Sequence, residues 1–219
     1  MAITHADFLT QVRDYTEVDS NVLTDSIIDK FIRATELNVA GQVDYDDLRK
    51  YSTSTFTSGN RYVSLPADCM IVRSVQMING SNRTFLERRD TSFISEYNSG
   101  GTTGEPKFWA NWDANTLILA PTPDQAYTLE MWYNETPERL SSTNTTTFVS
   151  NNAPELLLYG TIAEAYSYLK NPQEMQLYDQ KFQAALQAFA QEQMGRKRRD
   201  EYTDGVLRLP LRSVDPGGN

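Results

Sequence analysis

Apolar positions follow three successive rhythms along the chain. Near the N-terminus, Phe8, Leu9, Val12 and Tyr15 recur at helical spacing, and Thr4-His5-Ala6-Asp7 ahead of them supplies a cap. Asp19-Ser20-Asn21 breaks that helix and Thr24-Asp25-Ser26 offers a second cap. Ile27, Ile28, Phe31, Ile32, Thr35, Leu37 and Val39 then predict a second helix to about Gly41, with Tyr45–Lys50 adding another turn or two.

From about Ser52 the rhythm changes to alternation. Ser52–Thr57 and Arg61–Leu65 are Thr- and Tyr-rich runs around Ser58-Gly59-Asn60, a pattern that predicts a hairpin. Met70–Ile78 predicts a longer strand, Asn79-Gly80 a type I′ turn, and Arg83–Arg88 the return strand. Asp90–Asn98 favours a short helix. Lys107–Trp112, Thr116–Leu119 and Tyr127–Asn134 predict three further strands, with Pro121 and Pro123 limiting their ends. Ser141–Thr147 has too little apolar content to pack and predicts an exposed loop.

The third rhythm is helical again. Pro154 opens a helix carrying Leu157, Tyr159, Gly160, Ile162, Ala163, Tyr166 and Leu169, where Gly160 and Ala163 leave room for a closely packed partner. Lys170-Asn171-Pro172 stops it, and Gln173–Met194 predicts an antiparallel second helix ended by Gly195. Such a hairpin is similar to one tetratricopeptide unit, but no second copy occurs at the required period. The segment from Asp204 to Asn219 alternates apolar and polar residues without enough of them to form a core. Val206, Leu207, Leu209 and Leu211, with Arg196, Arg198 and Arg199 upstream, are therefore expected to dock an extended tail on a partner.

Composition narrows the function classes. With 219 residues, 39% of them hydrophobic, the chain is long enough to bury a core of its own. A mean hydropathy of -0.53 fits large polar, partner-facing surfaces. No run of about 18 apolar residues is available to span a bilayer. The segment Met1–Asp7 has no basic and apolar regions of a signal peptide, which predicts synthesis in a cytoplasm. The net charge of -9 argues against general nucleic-acid binding, since affinity there comes from neutralised phosphates. Arg196-Lys197-Arg198-Arg199 is the one basic cluster, and its place at a helix end favours dipole and partner contacts over DNA.

Candidate chemistry is sparse. A single Cys69 and a single His5 allow neither an intrachain disulfide nor a structural zinc site, and no cofactor is expected. Cys69 lies in an apolar run and reads as a structural thiol; His5 is expected to face solvent in the cap region. Asp46 and Asp47 read as a solvated face. Ser99–Gly104 lacks the Lys-Ser/Thr pair and following helix of a phosphate loop. Asp68, Glu105, Asp113, Asp124 and Glu130 are the carboxylates a hydrolase would use, but none has a basic or histidine neighbour in sequence, so no enzyme is expected. Four sequons, at Asn79, Asn82, Asn134 and Asn144, carry no weight without a secretory route.

An ordered set of short motifs runs from about Ser52 to Phe189. It comprises Leu-Pro-x-Asp at Leu65, Pro66 and Asp68, Gly-x-Pro at Gly104 and Pro106, and Leu-x-Pro-x-Pro from Leu119 to Pro123. The aromatic strand to Tyr133 and the helix with Tyr159-Gly160 and Ala163-Glu164-Ala165 complete it. This order resembles the head-to-tail adaptor (connector) proteins of tailed bacteriophages. The resemblance implies an α+β fold in which N- and C-terminal helices form a bundle with an inserted antiparallel β-rich domain and an extended C-terminal tail. Its divisions would be residues 1–51, 52–150, 151–195 and 196–219. It also implies a virion protein at the head-tail interface, a homo-oligomer, expected to be a dodecamer, that binds the portal protein and a nozzle or tail-tube protein. The helices would build the ring wall, the β insertion would contact neighbours, and double-stranded DNA would pass without specific binding. Competing readings are a minor tail-completion protein, another oligomeric scaffold, or a carboxylate-dependent hydrolase.

Overall fold

The computed structural model describes residues 3–200 of the chain. Helix α1 spans His5–Thr16 and begins with a capping box. Thr4 Oγ1 accepts from the Asp7 N–H, and the Asp7 carboxylate accepts from the Thr4 N–H at 3.1 Å, satisfying two donors a helix start leaves unpaired. Helix α2 spans Asp25–Gln42 without a side-chain capping bond from Thr24. Arg13 secures that junction instead: Nε and Nη2 both donate to the Leu23 carbonyl at 3.0 Å, and Nη2 also pairs with Asp25.

His5 is a correction to the sequence reading. It is 6% exposed, with Nε2 2.6 Å from Asp29 Oδ1. Its ring links α1 to α2 rather than meeting solvent, a contact that the spacing of apolar residues on one helix does not disclose.

After a 3-10 turn at Asp46–Leu48 the chain leaves the helices and returns to them through the short helix α4, Phe148–Asn152. (The intervening helix α3 spans Thr91–Tyr97.) Helix α5 runs Pro154–Tyr168 with Pro at its start, and Leu156, Leu157, Leu158, Ile162 and Ala165 are all buried. An apolar surface on nearly every side suits a helix enclosed by others, and α5 packs against α1, α2 and the following helix. That helix, α6, spans Pro172–Asp200 and passes straight through Gly195, where the sequence predicted its end. No positive φ and no crowding occur at Gly195, so nothing there forces a stop. Phe8, Val12, Ile28 and Ile32 from one chain end share a single apolar core with Leu157, Ile162, Phe182 and Phe189 from the other.

The close approach at Gly160 is real. A Cβ added there would lie 2.9 Å from the Phe182 ring and nearer still to the Thr35 methyl. Thr35 has little freedom to yield, because its Oγ1 donates to the Phe31 carbonyl at 3.0 Å.

Between the helices stand two four-stranded sheets. The first has the order β1 (Arg49–Thr55), β10 (Thr128–Glu135), β3 (Cys69–Asn79), β4 (Asn82–Phe85) and is antiparallel throughout. The second has the order β2 (Tyr62–Ser64), β8 (Thr116–Ala120), β7 (Phe108–Asp113), β5 (Glu87–Arg88), the last pair parallel. A two-residue parallel pair joins β6 (Thr103–Gly104) to β9 (Thr122–Pro123). Val72, Val75, Met77, Leu129, Met131 and Tyr133 of the first sheet meet Val63, Trp109, Leu117 and Leu119 of the second in one core.

Three local expectations change. The run 52–57 and the run 61–65 are not a hairpin: β1 pairs with β10 and β2 with β8, in different sheets. Leu86 donates its N–H to Val75 at 2.9 Å and is buried, and there the return strand divides, Phe85 staying with β3 and Glu87 crossing to β7. In the β3–β4 turn Asn79 pairs with Asn82, which puts Gly80 at the first central position with φ 60° and leaves Ser81 outside the positive-φ region. That is the pattern of a type II′ turn, not the expected I′.

The incoming and outgoing strands of the β insertion lie side by side, from Arg49 opposite Asn134 to Thr55 opposite Thr128. Polar bonds close this stem. Asp44 accepts from Arg73 at 2.6 Å and from Asn134 Nδ2 at 2.9 Å, and Lys50 pairs with Glu135. On α2, Arg33 donates to the Pro137 carbonyl at 2.8 Å, and the buried Glu36 accepts from the Leu140 N–H at 2.9 Å. Burial pushes the Glu36 carboxyl above its ordinary range, although the Leu140 and Arg33 bonds partly offset it.

Gly160→Ala is expected to destabilise the chain by about 1–3 kcal/mol through overpacking. Urea unfolding checks it, and an unchanged midpoint would mean that α2 and α6 can move apart freely.

Candidate assembly surface

Strand β10 sends Leu129, Met131 and Tyr133 into the core, so alternation turns Glu130, Trp132 and Asn134 to the opposite face. On that face Trp132 touches Tyr51 of β1, with ring centroids 5.4 Å apart, and Phe85 of β4, at 6.1 Å. Tyr51 is 51% exposed and Phe85 67%. Ile71, opposite Asn134, adds a further exposed apolar side chain. Three strands thus contribute to one aromatic strip on the open side of the sheet.

Beneath the strip lies a buried carboxylate. Glu130 accepts from the Tyr51 hydroxyl at 2.8 Å and from Arg83 Nη1 at 3.0 Å, so its charge is satisfied and both partners are held in place. The bond to Glu130, with burial and the carboxylate's charge behind it, pushes the Tyr51 hydroxyl above its ordinary pKa. Beside the strip runs a groove of about 340 Å³ lined by Arg49, Arg73, Ser74, Phe85, Trp132 and Tyr133. Aromatic rings with arginines, held rigid and half in water, are the side chains that dominate binding at protein interfaces. A smaller aromatic pair, Tyr62 with Trp112 at 5.6 Å, marks the second sheet.

The sequence-predicted docking residues fall at and beyond the end of the described chain. Arg196, Arg198 and Arg199 fall in the last turn of α6, while Val206, Leu207, Leu209 and Leu211 lie outside the described residues. The aromatic strip was missed. Its signal was present, since Trp132 is the one aromatic residue out of phase with Leu129, Met131 and Tyr133, but nothing local shows that Tyr51 and Phe85 stand beside it.

Four of the five candidate catalytic carboxylates have structural partners. Burial would raise the Asp68 carboxyl, but the Lys50 bond at 3.3 Å and the Tyr133 bond at 3.1 Å, together with a backbone bond and the Lys50 charge, hold it below its ordinary range. Asp113 accepts from the Asn115 N–H in a turn, Asp124 from the Tyr127 hydroxyl, and Glu130 is engaged as above; Glu105 is exposed. Cys69 is half-buried, and burial with the nearby Asp68 charge pushes its thiol up, away from the reactive thiolate. Among the described residues no group of three or more His, Cys, Asp or Glu is placed to hold a metal ion. Among them, too, no helix is long and apolar enough to cross a membrane.

What remains is an α+β chain whose best-formed surface feature suits a protein partner. The sequence model of the SU10 adaptor protein family matches residues 3–209. The chain belongs to that family of phage head-to-tail adaptors. The match extends well beyond residues 52–189, where the short motifs resembled such adaptors, and takes in both helical ends. No curated protein matches the chain. Membership makes this a structural phage adaptor, a virion component whose partners are portal and tail proteins in general.

In a Trp112→Phe chain the remaining indoles are the fully buried Trp109 and the half-buried Trp132. Mixing it with portal protein is expected to shift emission to the blue, with no such shift when Trp132 is also replaced by Phe. An emission maximum of the Trp112→Phe chain that does not move on mixing would show that the strip stays in water.

Proposed function

We propose that copies of this adaptor form a ring, of twelve subunits, that joins the portal to the tail and encloses part of the DNA channel. The carrying observation is the family match over residues 3–209. Several physical features support the reading. A net charge of -9 disfavours sticking to double-stranded DNA, so a ring of such chains would let it pass without specific binding. Heterologous contacts close into a ring when the rotation between copies is right, and the aromatic strip offers one such contact.

The helices of both chain ends share a core apart from the β insertion. This division supports a helical ring wall carrying a β contact module; the divisions we propose are 1–51, 52–150 and 151–195, with 196–219 as a docking tail. Arg196, Arg198, Arg199, Val206, Leu207, Leu209 and Leu211 of that tail would engage the portal or an adjacent subunit, and a nozzle or tail-tube protein would bind the opposite end of the ring. The role needs no catalysis and no cofactor. Synthesis would take place in the host cytoplasm.

Negative-stain images of the purified chain mixed with portal protein should show twelvefold rings seated on the portal. Chains that leave the portal bare but cap isolated tails would indicate a tail-completion protein instead.

A further inference from the structure

Among the described residues, strand β1 is the outermost strand of its sheet, and six of its seven residues are exposed, Ser52 alone being half-buried. A long free edge is a template for another strand, and proteins usually blunt it with Pro, a bulge or a projecting Lys. Here there is no Pro, and the pairing with β10 has no bulge. Lys50, the one lysine, is tied to Asp68 and Glu135.

Register decides what the edge offers. The Phe56 N–H bonds the Tyr127 carbonyl at 2.8 Å, so Phe56 is turned toward the β10 side. Peptide groups alternate along a strand, so Ser54, Ser52 and Lys50 turn the same way, and Tyr51, Thr53 and Thr55 present N–H and C=O to the open edge. The same three residues share the face of the aromatic strip, because Tyr51 lies against Trp132.

We propose that this edge accepts an antiparallel strand, and that its occupant is Val206–Leu211 of a neighbouring copy. The inference rests on the ring reading above and names the surface on which the tail docks. Leu207, Leu209 and Leu211 recur at period two and so share one face of an extended segment. Pro210 has no N–H to give, so the even-numbered residues must turn away from the ladder and the odd-numbered ones must bond. In an antiparallel pair, residues that exchange bonds stand directly opposite and point to the same face. The three leucines therefore land beside Tyr51 and Thr53 on the aromatic strip. Two independent features, the parity of β1 and the position of Pro210, demand the same face.

The test uses full-length chains mixed with portal protein and scored for ring formation. Thr53→Pro removes a donor of the open edge while sparing the β10 ladder, and Leu209→Glu charges the apolar face of the tail. Each is expected to weaken incorporation at least about tenfold, whereas Arg208→Glu, on the other face of the tail, is expected to assemble normally. If Thr53→Pro lowers the unfolding midpoint, Thr55→Glu, which charges the strip face at the exposed β1 edge, takes its place and must show the same loss. Loss with Leu209→Glu but not with the β1 or strip variant would overturn the inference and leave the ring reading standing. Normal assembly of every variant would overturn it likewise. A lower unfolding midpoint for Leu209→Glu in the unmixed chain would mean that the tail packs on its own subunit, which also overturns it. Absence of rings with the unaltered chain would sink the ring reading itself, and this inference with it.

Discussion

Pairing of β1 with β10 is the constraint on which the rest of the molecule hangs. The chain departs from its helices at Arg49 and comes back after Glu135, and these two strands are hydrogen-bonded neighbours along their whole length. Because the way out and the way back lie together, the helices before and after the insertion can close over a single core. Asp44, Arg73 and Asn134 cross-link the stem, and Glu36 with Arg33 pins the returning segment to α2. Removing a partner of the buried Glu36 leaves a polar group unsatisfied in the interior, a cost of about 1–3 kcal/mol per group.

That pairing also has a consequence on its far side. With β10 filled by β1 on one flank and β3 on the other, the edges of this sheet left unpaired among the described residues are those of β1 and β4. The aromatic strip crosses the sheet from one edge to the other, from Tyr51 through Trp132 to Phe85. A buried Glu130 stiffens it from below. A rigid apolar strip that ends at an open strand edge combines two kinds of recognition, side-chain pockets for specificity and main-chain bonds for affinity.

Periodicity made the helices legible. Thr4 and Asp7 capped α1 as their spacing predicts, and Gly160 does admit α2 and α6 at close range. Most strands were legible too, but their partners were not. The runs at 52–57 and 61–65 look like a hairpin because local signals know nothing of β8 and β10, which bind them from far along the chain. His5 carried no sign of Asp29, and the end of α6 was misplaced because a glycine without steric need of positive φ need not stop a helix. The assembly surface was hidden for the same reason as the strand partners: Tyr51, Phe85 and Trp132 become neighbours only when register is set. Tail residues Val206, Leu207, Leu209 and Leu211 were visible as an unsatisfied apolar pattern, and their receptor was not.

Amide hydrogen exchange on the full-length adaptor, free and bound to portal, tests the account most directly. The Ser52 and Ser54 amides already bond β10, so their exchange should not change. Those of Tyr51, Thr53 and Thr55 should slow markedly on assembly, as the open edge gains a strand. Exchange at those three positions that is as fast in the ring as in the free chain would contradict it.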